Sequence, residues 1–315
     1  RQFLQFAGSA LTTIGISQFD LKNQCLRYAQ AISSSNSRKL ALLVGINNYQ
    51  NVNNLKGAIT DVHLQKELLV NRFGFNPRDI LIVSDESQIK PTREGILQAF
   101  EEHLIQQAKP GDTVVYHFSG HGSQVLEEDS PFEDNLNSTF LPNNRSISRT
   151  GNQKIVSDIT GKTLFLLMSR IRTENLTVVL DSCYSGGGKR GNLNIRSIEG
   201  GKEYIYSDLE REYQQNLLSK LEISESELKQ RRKKGIAKGV VIASARKDEI
   251  AAEAYLDDFV AGAFTYLMTQ YLWQETSNSP VENAIANISR SIIHTFSSNQ
   301  IPEFSAKTNT RNQTK

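Results

Sequence analysis

A histidine and a cysteine that each follow a short apolar run are the residues of this chain best suited to do chemistry. His121 follows residues 113–118, and Cys183 follows residues 176–180. Both runs are rich in β-branched and apolar residues and end in glycine-rich turns, which predicts buried strands with a reactive side chain at each carboxyl end. The carboxyl ends of parallel strands line the ligand-binding crevice of an open α/β sheet. We therefore expect His121 and Cys183 to share one cleft.

The chemistry that suits this pair is nucleophilic catalysis. A cysteine attacks a carbonyl carbon as the thiolate, and an imidazole can take the thiol proton and return it to the leaving amine. Backbone N–H groups beside the thiol, those of Gly122 and Cys183, can then hold the developing oxyanion. Taken singly, each residue has an ordinary structural interpretation, as a buried core cysteine and a histidine in a surface turn. Two matched motifs at strand ends favour the nucleophilic site.

Four blocks of sequence extend this pattern. His-Phe-Ser-Gly-His-Gly occupies residues 117–122 and Asp-Ser-Cys-Tyr-Ser-Gly residues 181–186, and further blocks occupy residues 40–62 and 242–266. Over residues 38–304 the chain resembles the caspase-like cysteine peptidases, specifically the metacaspases and their bacterial relatives, the orthocaspases. The resemblance implies a caspase-haemoglobinase-like α/β sandwich. It also implies a cysteine endopeptidase with Cys183 as nucleophile and His121 as base.

Strand and helix patterns alternate through the same region. Strands are predicted at residues 40–46, 80–83, 113–118, 176–180 and 239–244, and helices at residues 59–72, 92–108, 158–171 and 261–273. Near-continuous apolar strands that alternate with helices predict a central, mostly parallel sheet with helices on both faces.

Composition along the chain predicts three regions. They are an N-terminal leader and linker at residues 1–37, a catalytic domain at residues 38–304 and a polar tail at residues 305–315. The catalytic domain divides further into a large part at 38–190, a junction insertion at 191–238 and a small part at 239–304. The insertion is charged, is bounded by glycines and contains one predicted helix at residues 208–234.

The leader has two interpretations that we hold equal. A basic start, an apolar stretch to residue 16 and the Ala-Gln-Ala sequence at residues 29–31 resemble a twin-arginine export signal, although a single arginine is present. The alternative is an amphipathic N-terminal helix that packs on the domain or frays. Export to a periplasm or lumen and a cytoplasmic location therefore both stay open.

Three polar residues predict which substrate the cleft accepts. By the family resemblance, Asp61, Ser119 and Asp181 match the primary specificity pocket, although Ala58 stands where relatives often carry a cysteine. An acidic pocket holds an arginine guanidinium bidentately or a lysine ammonium as a point charge. We therefore expect cleavage after Arg or Lys. Without the resemblance, Asp181 would be interpreted as a turn cap and Asp61 as a solvated helix residue.

No metal or cofactor is expected. By the resemblance, calcium-dependent metacaspases carry an aspartate several residues beyond the nucleophile, whereas residues 188–191 here read Gly-Lys-Arg-Gly. Calcium takes about six to eight oxygen ligands, and a lysine-arginine pair opposes a divalent cation. We interpret the acidic loop at residues 127–134 as solvated and expect activity without calcium.

Basic residues near the cleft are candidates for self-cleavage, because flexible, solvated loops are preferred sites of proteolysis. The candidates are Lys189, Arg190, Arg196, Arg231, Arg232, Lys233 and Lys234. The alternative is that these side chains solvate a helix end and the junction, and that the chain is active uncut.

Composition excludes several other classes of protein. The 315 residues are 38% hydrophobic and 22% charged with a net charge of +2, which gives no strong field for nucleic acid or membrane surfaces. Only two cysteines occur, Cys25 and Cys183, so we expect neither a disulfide framework nor a thiolate metal cluster. The expected partners are protein or peptide substrates with basic residues. We expect a monomer with no nucleic-acid partner and no stable membrane span.

An interaction module that keeps the fold but turns over weakly is the alternative function. A binding scaffold has no need for a base, a thiol and an uncluttered oxyanion site together, so the presence of His121, Cys183 and their glycines favours the enzyme. A different hydrolase on the same fold is a third interpretation.

Overall fold

A six-stranded sheet forms the centre of the fold. The computed structural model describes residues 37–184, 195–245, 251–256, 259–274 and 303–307. The strands of this sheet are β1 (Lys39–Gly45), β2 (Ile80–Ser84), β3 (Thr113–Ser119), β9 (Leu176–Asp181), β11 (Val240–Ala243) and β14 (Glu303–Ala306). They lie in the order β14-β11-β9-β3-β1-β2. All neighbours are parallel except β14, which runs antiparallel to β11.

Helices cover both faces of this sheet because its strands are apolar on both sides. Five principal helices lie in this layer and in the junction: α1 (Ala58–Asn71), α2 (Arg93–Ala99), α3 (Gly161–Arg170), α4 (Asp208–Leu221) and α5 (Glu225–Lys233). A sixth helix, α6 (Ala263–Gln274), follows in the small part. Leu43 and Val115 pack in one buried cluster with α1 and α6, and Leu42 and Val114 pack in the other with α2, α3 and α4. The predicted fold class is thereby confirmed.

The predicted helix at residues 92–108 is a composite element. The α-helix α2 begins after Thr92, whose side chain accepts a hydrogen bond from the Gly95 N–H, and it continues as a wider helix over Phe100–Ile105. Ahead of β2, one short turn of 3₁₀-helix covers Pro77–Asp79.

A second six-stranded sheet was not predicted from the sequence. Its strands are β4 (Gly122–Leu126), β5 (Leu136–Phe140), β6 (Ile147–Thr150), β7 (Gln153–Val156), β8 (Ile159–Thr160) and β10 (Gly201–Tyr206), in the order β6-β7-β10-β4-β5-β8. These strands are short and mix polar with apolar residues, so they lack the apolar runs that identify buried strands. β10 comes from the predicted insertion and pairs in parallel with both β4 and β7.

The insertion is an integral layer of the domain rather than a solvated appendage. The single helix predicted at residues 208–234 is two helices, because Glu222 adopts the left-handed conformation after α4 and Ser224 caps the start of α5. Leu217 and Leu228 are buried in the larger core cluster. The helices therefore contribute to the core, which the charged composition of this segment conceals.

Buried ion pairs fix the same layer. Arg232 of α5 lies 2.5 Å from Glu127, and Glu210 of α4 lies 2.6 Å from Arg93. All four side chains are at most 7% exposed. Removing one partner of such a pair would leave an uncompensated buried charge.

The small part adds a hairpin of two short strands, β12 (Glu253–Tyr255) and β13 (Val260–Gly262), which leads directly into α6. Within the ranges described above, no helix is long and apolar enough to cross a membrane. Of the predicted leader and linker at residues 1–37, residues 1–36 lie outside those ranges.

Candidate active site

The ends of β3 and β9 bring the predicted reactive residues to one edge of the central sheet. Ser119 and Asp181 are direct partners in the parallel pairing of these strands, and His121 and Cys183 each follow two residues later. Both reactive side chains are buried: His121 is 2% exposed and Cys183 is 0% exposed. The sheet therefore places the imidazole and the thiol at corresponding positions on adjacent strands.

The imidazole of His121 is oriented by the loop that precedes α1. Its Nε2 atom lies 2.7 Å from the carbonyl oxygen of Asn53, and its backbone N–H donates to the Tyr49 hydroxyl at 2.8 Å. Burial lowers the pKa of His121 to about 4, although the Asn53 carbonyl opposes this shift. The ring is therefore neutral at physiological pH.

The thiol of Cys183 lies against the small part. Its Sγ accepts a hydrogen bond from the Ala251 N–H at 2.6 Å and donates to the Ala251 carbonyl oxygen at 3.1 Å. Burial raises the pKa of Cys183 to about 12. In this closed arrangement the site holds a neutral thiol and a neutral imidazole rather than a thiolate and an imidazolium.

The three predicted pocket residues surround one side chain of the chain itself, that of Arg196. Its Nη1 atom lies 2.7 Å from the Asp61 carboxylate, 3.4 Å from the Asp181 carboxylate and 2.6 Å from the Ser119 hydroxyl. Arg196 is 0% exposed and ranks first by volume among the fully buried side chains of the described residues. The pocket therefore holds a guanidinium group.

The backbone of Arg196 lies across the reactive residues. Its carbonyl oxygen accepts hydrogen bonds from the N–H groups of Gly122 at 3.0 Å and Cys183 at 3.2 Å, the two donors predicted for an oxyanion. Its own N–H donates to the Ala251 carbonyl oxygen at 3.0 Å, and Ile195 and Ala252 form an antiparallel bridge. The segment around Arg196 is therefore held on both sides by isolated β-bridges, Ile195 with Ala252 and Ser197 with Gly122, with one carbonyl group at the predicted oxyanion site.

Three carboxylate groups, those of Asp61, Asp181 and Glu253, surround the single guanidinium group of Arg196 in the pocket. Burial raises the pKa of Asp61 to about 7, while the Arg196 guanidinium opposes this shift and the nearby Asp181 carboxylate adds to it. Burial disfavours the charged guanidinium, but Asp181, Asp61 and Glu253 together raise the pKa of Arg196 above its ordinary value. The cation is therefore firmly protonated, and it favours the ionised form of Asp61.

Three residues of the small part complete the pocket, and the sequence analysis assigned them no role. Glu253 lies 3.7 Å from Nη2 of Arg196, Thr265 donates to the Asp181 carboxylate at 2.6 Å, and the Gly262 N–H donates to the Asp61 carboxylate at 2.8 Å. A Cβ atom on Gly262 would lie 2.3 Å from Asp181 and 2.8 Å from Asp61. The sequence block at residues 242–266 indicated that this region belongs to the domain. Its strands are too short for the sequence pattern to show which side chains point inward.

The self-cleavage candidates fall in different environments. Arg196 lies in the pocket, whereas Lys189 and Arg190 lie outside the described residues. Arg231, Lys233 and Lys234 are exposed at the end of α5. Arg232 is buried against Glu127, and the ion pair that docks α5 removes this candidate from solvent.

The acidic loop is only partly solvated. Glu128, Asp129, Glu133 and Asp134 are exposed as expected. Glu127 is buried, because it is the partner of Arg232. Residues 188–191, on which the calcium argument rests, lie outside the described residues.

The central, mostly parallel sheet with helices on both faces is the architecture of a caspase-like α/β domain. Residues 39–188 match the family model described as the metacaspase, peptidase C14 domain. This part of the chain is accordingly a metacaspase-type domain, and the family predicted from the sequence is confirmed for it. The bacterial branch of the family stays a prediction.

Curated metacaspases are similar to the same half of the chain. Identity is 36% over 157 residues with Metacaspase-1 of Yarrowia lipolytica and 37% over 153 residues with Metacaspase-7 of Arabidopsis thaliana. These alignments cover 49% and 47% of this chain but only 32% and 35% of the two relatives. The chain thus spans roughly a third of the length of the curated relatives it matches.

A solved structure extends the likeness of fold beyond that half. The crystal structure of protein GSU0716 from Geobacter sulfurreducens matches with a TM-score of 0.53 at 15% identity, covering 86% of this chain and 94% of that chain. At this identity the likeness concerns the fold alone.

Proposed function

We propose that this protein is a cysteine endopeptidase that cleaves peptide bonds after arginine or lysine. Cys183 loses its proton to His121 and attacks the carbonyl carbon, and the N–H groups of Gly122 and Cys183 hold the oxyanion. His121 then protonates the leaving amine, and water hydrolyses the thioester.

The position of Arg196 is the observation that carries the proposal. Its guanidinium contacts Asp61, Ser119 and Asp181, while its carbonyl oxygen accepts hydrogen bonds from the N–H groups of Gly122 and Cys183. A substrate arginine would need the same two sets of contacts at once, one for recognition and one for chemistry. Lysine can use the same carboxylates as a point charge.

Self-processing at the Arg196–Ser197 bond follows from the same geometry. The carbonyl oxygen of Arg196 accepts from both proposed oxyanion donors, and its side chain contacts the proposed pocket residues, which supports this bond as the site of cleavage. Until the Arg196 side chain moves, a substrate in trans cannot enter. When that side chain leaves and solvent enters, the desolvation that holds the pKa of Cys183 high and that of His121 low is relieved, which favours formation of the thiolate–imidazolium pair.

The experiment is a peptidase assay with three matched peptides that end in Arg, Lys or Asp before a reporter group. We expect turnover of the Arg and Lys peptides, none of the Asp peptide, and no change on adding a chelator. Cys183→Ala should abolish turnover, and His121→Ala should reduce it by about a hundredfold to ten-thousandfold. Mass spectrometry should find a chain ending at Arg196 and one starting at Ser197 in the wild type but not in Cys183→Ala.

Each part of the proposal can fail separately. Full turnover by Cys183→Ala would contradict the nucleophile, and cleavage of the Asp peptide would contradict the pocket. Activity that is lost on chelation and restored by calcium would contradict calcium independence. An intact wild type with full activity would contradict self-processing. A correctly folded protein that turns over none of the peptides would favour the interaction module.

A further inference from the structure

The chain that follows Arg196 is anchored independently of the Arg196–Ser197 bond. The Ile198 N–H donates to the Gly122 carbonyl oxygen at 3.1 Å, and the Ser123 hydroxyl donates to the Glu199 carbonyl oxygen at 3.0 Å. Directly afterwards, β10 enters the second sheet between β4 and β7. None of these contacts depends on the bond to Arg196. A cut there would therefore leave the new amino group of Ser197 at the cleft.

The packing of Gly200 shows how closely this segment is held. A Cβ atom built on Gly200 would lie 2.4 Å from the Ser123 hydroxyl oxygen and 2.5 Å from the Gln124 carbonyl oxygen. The backbones of the segment and of β4 are thus in direct contact. Only glycine allows this approach at position 200.

The other end of the bond is equally tethered. Arg196 is held by its ion pairs with Asp61 and Asp181 and by its N–H bond to Ala251. It is also part of the same chain as Cys183, thirteen residues further on. After cleavage, the carboxyl end at Arg196 and the amino end at Ser197 would therefore both stay attached to the same domain.

Water has poor access to the reacting atoms in this arrangement. His121 is 2% exposed, Cys183 is 0% exposed and Ser197 is 7% exposed. The water that hydrolyses a thioester must approach from the side that the leaving amine vacates. Here Ser197 occupies the side from which water would approach, because the hydrogen bonds of Ile198 and Glu199 hold this segment in place.

We propose that this protein is also a peptide ligase toward its own chain and that it reseals the Arg196–Ser197 bond. The inference rests on the proposed cysteine-peptidase chemistry and adds the acceptor, which is the α-amino group of Ser197. In the resealing step the neutral amine attacks the Arg196 thioester carbon. The C–N bond forms, the C–S bond breaks, and the amine proton passes through His121 to the Cys183 sulfur.

The hydrolysed chain can also be resealed, with one additional step before the amine attack. The Arg196 carboxylic acid and the Cys183 thiol form the thioester and release water, and the Ser197 amine then displaces the thiol. The net reaction joins one acid and one amine and releases one water. Well-oriented tethered groups reach effective molarities of about 10⁵–10⁸ M, so the held ends favour the bond far more than free peptides do.

The experiment uses the dependence of this equilibrium on pH in the full-length wild type. An α-amino group has a pKa of about 7.7–8.0, so raising the pH to about 9 removes the proton from the free amine and favours the cut form by roughly tenfold over pH 6.5. The protein is incubated at pH 9 and returned to pH 6.5. Denaturing electrophoresis and mass spectrometry then give the ratio of cut to intact chains, and peptide turnover is measured at each stage.

We expect the ratio of cut to intact chains to fall about tenfold after the return to pH 6.5. Alkylation of the Cys183 thiol before the pH is lowered to 6.5 should prevent this change in the ratio of cut to intact chains. Gly200→Ala should shift cleavage toward completion and prevent resealing, because the added methyl group pushes the segment away from β4. Lys202→Ala, an exposed change on the same strand, should behave as the wild type.

The remaining outcomes overturn the inference in distinguishable ways. Chains that stay cut at pH 6.5 while Arg peptides are still turned over would refute resealing and leave the peptidase in place. A bond that is never cut, again with active peptide turnover, would refute resealing together with self-processing. Loss of peptide turnover as well would refute the proposed function itself.

Discussion

Glu253 and Gly57 join the two parts of the domain: the Glu253 carboxylate accepts a hydrogen bond from the Gly57 N–H at 2.6 Å. The same oxygen accepts from the Lys56 N–H at 2.9 Å. These two N–H groups lie just before α1, which carries Asp61, and just after the loop whose Asn53 carbonyl contacts His121. One carboxylate of the small part therefore positions both a pocket residue and the loop that orients the imidazole.

The role of Glu253 can be separated from its charge. In Glu253→Gln the amide oxygen can still accept both backbone bonds, so we expect kcat to be retained while KM for an Arg peptide rises, because a negative charge near the guanidinium is lost. Glu253→Ala leaves the buried Gly57 N–H and the part-buried Lys56 N–H without this acceptor, which costs about 1–3 kcal/mol for the buried group and should lower kcat as well. Steady-state kinetics on both variants tests this. Equal effects of Gln and Ala on kcat would contradict a positioning role.

Gly262 should be necessary for basic specificity. A methyl group there would lie 2.3 Å from the Asp181 carboxylate and 2.8 Å from Nη1 of Arg196, so it occupies space that the guanidinium needs. We expect Gly262→Ala to reduce kcat/KM for Arg and Lys peptides by at least about a hundredfold, the effect of an approximately 2.7 kcal/mol loss. Circular dichroism controls for folding. Unchanged selectivity in a folded variant would place the substrate side chain elsewhere.

The central sheet and the positions of both reactive residues, His121 and Cys183, could be predicted from the sequence for a physical reason. Buried parallel strands are apolar on both faces, so β1, β3 and β9 appear as continuous apolar runs, and the glycine-rich turns after β3 and β9 identify the reactive edge. The second sheet gives no such signal because its strands are short and partly exposed. Pairings between distant segments, such as β10 with β4, leave no local pattern.

The burial of particular side chains in the junction could not be predicted for a related reason. Charged residues are usually solvated, so the charged composition of residues 191–238 predicts exposed side chains. Here Arg232 and Glu210 are buried because each finds an oppositely charged partner far away in the sequence. Ion pairing of this kind depends on the folded structure, and a single sequence does not show it.

Activity toward arginine substrates should depend on the ionisation of Asp61. Burial raises the pKa of Asp61 to about 7, so its carboxylate loses negative charge as the pH falls through that value. An ionised carboxylate attracts the guanidinium and a protonated one does not, so kcat/KM for an Arg peptide should rise as the pH increases from about 6 to 8. Asp61→Asn should be less active and should lack this limb of the profile. An identical pH profile in both proteins would contradict the assignment.

Arg196 should stabilise the closed form and also block the pocket. Arg196→Ala leaves Asp61, Asp181 and Glu253 buried without their shared cation, a loss on the order of 3–5 kcal/mol. We expect a lower midpoint of thermal unfolding, no self-cleavage at this bond, and faster initial turnover of Arg peptides because the pocket starts empty. Arg196→Lys keeps a cation and should retain more stability and self-cleavage. A variant with unchanged stability and a lag before peptide turnover would contradict the closed pocket.

The docking of the junction helices should depend on the Arg232–Glu127 pair. The two side chains are 6% and 4% exposed and 2.5 Å apart, and breaking a buried pair from one side costs about 3–5 kcal/mol. Arg232→Ala should therefore lower the free energy of unfolding by that amount, whereas Lys233→Ala, its exposed neighbour on α5, should leave it unchanged. Urea titration of the Cys183→Ala background measures both without self-cleavage. Because β10 leads into these helices, Arg232→Ala should also speed proteolysis of the junction by an added protease; equal protection in the two variants would show that the ion pair does not hold the layer in place.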